Sequence, residues 1–130
     1  MRKLTTFALN AALLAACSGA ALAAGDAEKG KEVFAKCAPC HMIGPGAATL
    51  IGPELNGVVG RRAASIANYP MYSEGMRTLG ALSVVWTEEN LDKWIANPKE
   101  MLVDSSMGVF PGLPDASDRA NVIAYLKTFQ

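Results

Sequence analysis

The sequence predicts an all-α domain of four to five helices joined by long loops. Three observations carry this expectation. Apolar residues recur at spacings of three and four in several separate stretches, which is the helical period. Asp26 and Thr87 stand at the heads of two of those stretches, where a helix N-terminus needs a side-chain acceptor. No run alternates apolar and polar residues over the length of a strand.

The elements follow in order. Asp26 is a candidate cap for a helix over 26–37, with Glu28 in its first turn and Gly30, Val33, Phe34 and Cys37 on one face. Residues 42–60 hold five glycines and two prolines and read as a long loop. A loop of that length in a small domain is expected to wrap something. Residues 61–86 are irregular, with one helical turn near 73–78. Thr87 then caps a helix whose first turn holds Glu88 and Glu89, favourable at the positive end of the helix dipole. Leu91, Trp94 and Ile95 form its buried face, and Asn97-Pro98 ends it. A short helix over 98–102, a loop over 104–108 and a last helix from near Ser117 to the end complete the chain. The stripe of that last helix is Val122, Ile123, Leu126 and Phe129, with Tyr125 alongside.

The chain has 130 residues, enough for one domain. Residues 1–23 have the pattern of a secretory signal: Arg2 and Lys3, a short apolar run, then Ala21-Leu22-Ala23 with small residues where a signal peptidase reads. The domain is then 24–130. Cys17 has two readings. It is lost with the signal, or Leu14-Ala15-Ala16-Cys17 is a lipobox and Cys17 becomes an acylated anchor, each buried methylene adding roughly 0.8 kcal/mol. Residues 24–130 carry ten basic and twelve acidic side chains, a net charge of −2. No basic patch suggests nucleic acid, and every later apolar stretch is too interrupted to span a membrane.

Chemistry concentrates at Cys37-Ala38-Pro39-Cys40-His41. A disulfide scaffold wants more cysteines than this chain has. A zinc site needs four ligands, and this motif offers three with no second pair. A thioredoxin-like pair expects a βαβ setting. Covalent haem attachment uses the whole motif: two thiols add to the haem vinyl groups, and the next residue offers an imidazole to the iron. His41 is the only histidine in the chain.

An iron held by one imidazole has a second axial position. Left open, it binds gases or peroxide; closed by a thioether, it favours the ferrous state and a higher potential. The methionines beyond the signal are Met42, Met71, Met76, Met101 and Met107. Met42 adjoins His41, Met101 suits the core, and Met71 and Met76 suit packing at the haem edge. Met107 lies in a loop between Ser106 and Gly108, far from His41 in sequence, and is the candidate sixth ligand.

With these residues in place the chain resembles class I cytochrome c, of the small alphaproteobacterial and mitochondrial-like type. The resemblance spans 25–130. It rests on Gly25-Asp26-Ala27-Glu28-Lys29-Gly30, the Cys37–His41 motif, the run from Ile51-Gly52-Pro53 to Gly60-Arg61, Trp86-Thr87-Glu88-Glu89-Asn90-Leu91, Asn97-Pro98-Lys99, Met107 and Ile123-Ala124-Tyr125-Leu126-Lys127. It implies a class I cytochrome c fold around one haem c. It implies that the Pro53 carbonyl accepts from His41, that Arg61 lies near a haem propionate, and that Tyr72 and Trp86 donate to the propionates. Gly30 and Phe34 would meet Tyr125 where the first and last helices cross. The segment Leu102-Val103-Asp104-Ser105-Ser106 departs from the Pro-Gly and Thr-Lys usual before the methionine. The lysine ring of basic relatives is reduced to Lys36, Lys99, Arg61 and Arg62, opposed by Glu54, Glu74, Glu100 and Asp104.

The implied role is a monomeric periplasmic electron carrier, not an enzyme. Its donor would be a quinol–cytochrome c reductase or a dehydrogenase. Its acceptor would be an oxidase, a reductase or a photosynthetic reaction centre. The alternatives are a carrier tethered through Cys17, or a haem enzyme or gas-binding protein with an open sixth position.

Overall fold

The computed structural model describes residues 24–130; Cys17 and the expected signal lie outside them. Five α-helices follow in order: α1 (Ala27–Phe34), α2 (Glu74–Ala81), α3 (Glu88–Ala96), α4 (Pro98–Met101) and α5 (Ala116–Lys127). A 3₁₀ turn, Ser106–Val109, lies between α4 and α5. Among the described residues the only β pairing is an isolated antiparallel bridge between Arg62 and Val85.

Each main helix begins where a side chain satisfies its free backbone N–H groups. The Asp26 carboxylate accepts from Glu28 and Lys29, Ser73 from Met76, Thr87 from Asn90, and Asp115 from Ser117 and Asp118. The first helix is shorter than its pattern predicts. It ends at Phe34, and tighter turns take over, with the N–H of Cys37 and of Ala38 both bonding the Phe34 carbonyl. Those turns carry the cysteine motif. The turn expected near 73–78 is a full eight-residue helix. The stretch around Met107 is a 3₁₀ turn instead of open loop, because the Ser105 hydroxyl caps the Met107 N–H and Gly108 N–H bonds the Ser105 carbonyl at 2.9 Å.

Helices α1 and α5 cross at close range, and α3 packs on α5 and α4. The crossing turns on Gly30, since a Cβ there would collide with the Asn121 carbonyl and lie 2.8 Å from Tyr125 Cβ. The Phe34 and Tyr125 rings meet at 5.5 Å, and Tyr125 stacks edge-on with Phe129 at 5.2 Å. Val122, Ile123 and Leu126 face the core with Val33, Phe34, Leu91, Trp94 and Ile95. The crossing expected of Gly30, Phe34 and Tyr125 is therefore the one observed.

Backbone bonds give the long 42–60 loop its shape. Gly52 N–H bonds the Cys40 carbonyl, Leu55 N–H that of Met42, and the Asn56 side chain bonds both backbone groups of Gly44. Gly57 N–H reaches the Phe129 carbonyl at the C-terminal end. The loop is thus folded back over the motif and delivers Pro53 beside His41.

Candidate functional site

The helices and loops form a cavity that opens to the surface on one side. Cys37, Cys40, His41, Pro53, Arg61, Tyr72, Trp86 and Met107 all line it. Residues 71 positions apart in sequence, Lys36 and Met107, thus share one wall system. Its other walls are mainly apolar: Leu55, Val58, Met76, Leu91, Ile95, Phe110, Leu113, Val122 and Leu126. Ile51, Met71 and Val109 line it too but are largely exposed, marking its open side.

His41 is held from two directions. Its Nδ1 donates to the Pro53 carbonyl at 2.7 Å, leaving Nε2 with the free lone pair. Gly52 lies flat against the ring; a Cβ there would collide with Cε1 and sit 2.7 Å from Nδ1. Burial pushes the imidazole pKa down, opposed by the Pro53 bond, with Arg61 adding to the depression. A neutral imidazole with a fixed tautomer is what metal ligation needs.

Cys37 and Cys40 are free, half-buried thiols. Burial, with Cys40 adding to it, pushes the Cys37 thiol up to about 11, against a smaller lowering by Lys36. The turn bonds Cys40 N–H to Cys37 carbonyl and His41 N–H to Cys37 carbonyl, at 3.1 and 3.0 Å, bring both sulfurs and the imidazole to one wall.

The expected propionate residues form a connected group. Gly60 N–H bonds the Trp86 carbonyl and Trp86 N–H bonds the Arg61 carbonyl, both at 2.8 Å, so Arg61 and Trp86 are neighbours through backbone. The Arg61 guanidinium bonds the Asn56 and Glu54 carbonyls at 3.0 Å and the Glu54 carboxylate at 3.4 Å. Tyr72 packs edge-on against Tyr69 at 4.6 Å, and its hydroxyl accepts from Ile66 N–H at 3.3 Å. Burial raises the Tyr72 pKa, so its proton stays available for donation.

Three contacts were not foreseen. Trp94 Nε1 donates to the Met107 sulfur at 3.0 Å. Tyr69 donates to the Ile51 carbonyl at 2.8 Å, tying two sides of the opening. Arg119 binds Asp92 and the Leu113 and Pro114 carbonyls. Only Arg119 left a trace in sequence: a cation in the first turn of α5 opposes the helix dipole and signals a tertiary partner.

Two thiols, a neutral imidazole and a thioether around one apolar cavity make the donor set of a protein that holds haem covalently. The residues fit that group: Gly52 clears the imidazole and the cavity walls are apolar. Comparison with known proteins agrees. Residues 27–130 match the family model described as Cytochrome c. The chain is 41% identical over 130 residues to cytochrome c-554 of Methylosinus trichosporium, covering 99% of this chain and 95% of that one. It is 44% identical over 111 residues to cytochrome c2 of Rhodomicrobium vannielii, covering 85% of each. Among solved structures it resembles cytochrome cH from Methylobacterium extorquens, with a TM-score of 0.70 at 36% identity over 80% of this chain and 99% of that chain. The chain belongs to the cytochrome c family. Its fold is that of class I cytochromes c, and its cofactor is haem c with its iron.

Proposed function

We propose that the chain is a periplasmic one-electron carrier, built on one haem attached through Cys37 and Cys40 and ligated by His41 and Met107. The observation that carries this reading is that all four residues line the same cavity. Bound there, haem supplies one iron that alternates between ferric and ferrous states.

The chain's own residues do the rest. Pro53 orients His41 and raises its basicity by accepting from Nδ1. The Met107 thioether would hold the iron and favour its ferrous state. Tyr72, Trp86 and Arg61 serve the propionates, the first two as donors and Arg61 as a compensating charge. The apolar walls exclude water, so a change of charge at iron rearranges little. The exposed side near Ile51, Met71 and Val109 lets a partner approach the cofactor edge closely, which suits a small, short-lived contact. The relatives named cytochrome c2 support redox proteins as partners. The proposed donor is a quinol–cytochrome c reductase or a dehydrogenase, and the proposed acceptor an oxidase, reductase or reaction centre. No helix among the described residues is long and apolar enough to cross a membrane.

Spectra of both redox states of the purified holoprotein test this. The oxidised protein is expected to show the sulfur-to-iron charge-transfer band, and Met107→Ala to lose it. An oxidised wild-type protein without that band, binding azide readily, would establish an open sixth position instead. The mass of the mature protein is expected to equal residues 24–130 plus one haem; an acylated chain starting at Cys17 would replace the free carrier by a tethered one.

A further inference from the structure

The chain around Met107 is lightly held. From residue 103 to residue 110 it makes three hydrogen bonds to residues outside 98–110, among the described residues. One is the Trp94 bond to the Met107 sulfur. The other two converge on a single carboxylate. Ser73 Oγ donates to Asp104 Oδ1 at 3.1 Å, and Gly75 N–H donates to Asp104 Oδ2 at 2.8 Å. Ser73 is the cap of α2, and its hydroxyl also accepts from Met76 N–H at 3.2 Å. Asp104 thus completes the N-terminus of α2 from a distance of 31 residues along the chain.

Both joined segments line the cavity: Tyr72, Ser73 and Met76 on one, Ser105, Ser106 and Met107 on the other. Gly75 shows how closely they fit. A Cβ there would sit 2.7 Å from Asp104 Oδ1 and 2.8 Å from Leu102 Cδ2. Glycine inside a helix is unfavourable, and here its absent side chain makes room for the carboxylate. Asp104 also lies in the stretch where this chain departs from the pattern of its family.

We propose that Asp104 is a positioning residue, a latch that ties the methionine loop to the N-terminus of α2 and so limits how often Met107 leaves the iron. This rests on the ligand role of Met107 proposed above. With the latch closed, the sulfur is kept at the cavity by two charge-assisted bonds four residues or fewer from it in sequence. With it broken, the loop keeps the Trp94 bond and its apolar packing, and the sulfur gives way more readily to an outside ligand.

The test is imidazole binding to the oxidised holoprotein, followed by loss of the sulfur-to-iron band. Asp104→Asn, close in shape but neutral, and Asp104→Ala are expected to bind imidazole roughly ten-fold more tightly than wild type, about 1.4 kcal/mol. Gly75→Ala is expected to do the same although it improves helix propensity, because its Cβ evicts the carboxylate. Adding Ser73→Ala to Asp104→Ala is expected to add little, since both break one contact. Val103→Ala, at an exposed position on the same loop, should bind imidazole like wild type. If the Asp104 variants melt at a lower temperature but bind imidazole no tighter, the carboxylate only caps α2 and the latch is wrong. If wild type lacks the band at the outset, it is the ligand role of Met107 that fails.

Discussion

The indole of Trp94 donates a hydrogen bond to the sulfur of Met107 at 3.0 Å. Trp94 is buried in α3, its ring 5.5 Å from that of Trp86. A donor on the thioether withdraws electron density from the lone pairs that would face iron. With Met107 as the proposed ligand, a weaker sulfur donor would stabilise ferric iron less, so the bond would raise the reduction potential. Trp94→Phe keeps an aromatic ring and removes the donor. Its potential is expected to fall by about 40 mV, the equivalent of about 1 kcal/mol of hydrogen bond for a one-electron couple. A spectroscopic titration measures it; an unchanged or higher potential would show that the bond does not tune the iron.

The contact between α1 and α5 depends on Gly30. A side chain there meets the Asn121 carbonyl, which belongs to helix backbone and has no rotamer to give. Gly30→Ala should gain helix propensity and still lose about 2 kcal/mol through overpacking. For a domain of this size that is a thermal midpoint lower by about 10 °C. The potential should stay within a few millivolts, or on the order of 0.1 kcal/mol, because Gly30 does not line the cavity. A melting curve and a redox titration on one preparation check both halves.

Legibility differed between parts of the molecule for physical reasons. Local signals survived: Asp26 and Thr87 cap their helices, and the apolar stripe of α5 is buried at Val122, Ile123 and Leu126. The cysteine motif stood out because it holds the only histidine of the chain beside two cysteines, and both it and Met107 line the cavity. Helix ends were less readable. Residues 35–37 keep the helical pattern in sequence but fold in tighter turns, since Pro39 has no N–H to continue the helix and disfavours helical backbone at Ala38. The eight residues of α2 were read as one turn because part of the support of its N-terminus comes from Asp104, 31 residues from the cap it serves. Trp94 was legible as core and illegible as a partner of Met107, because a hydrogen bond across the cavity leaves no periodic trace.

Surface charge around the opening is weak and largely compensated. Residues 24–130 carry a net −2, and haem propionates make the holoprotein more negative. Lys36 pairs with Asp118 at 3.5 Å, and Arg61 with Glu54 at 3.4 Å. The exposed residues that line the cavity are the apolar Ile51, Met71 and Val109, with Ser106, the paired Lys36 and one further cation, Arg62. Encounter with a redox partner should therefore draw little on long-range steering. The second-order rate constant with a physiological partner is expected to change by less than about three-fold when salt rises through the range that screens surface charges. Stopped-flow mixing over that range decides it, and a steep loss of rate with salt would refute it.

Arg119 joins three parts of the structure at one guanidinium. Nε donates to Asp92 of α3 at 2.7 Å, and Nη1 donates to the Leu113 and Pro114 carbonyls, each at 2.9 Å. Leu113 is almost wholly buried, lines the cavity and sends its own N–H to the Ile95 carbonyl at 2.8 Å. The arginine therefore pins the segment that returns from Met107 onto α3, the helix that carries Trp94. Arg119 and Asp92 are both mostly shielded from solvent, so their attraction is screened less than that of an exposed pair. Arg119→Met keeps the stem but leaves two carbonyls and a carboxylate without their donor. That should destabilise the holoprotein by about 3 kcal/mol. Asp92→Asn keeps the carbonyl bonds and removes only the charge, for a loss of about 1 kcal/mol. Denaturant unfolding of the two variants gives the comparison. Equal losses would mean that the ion pair, and not the bonds to Leu113 and Pro114, is what holds the returning segment.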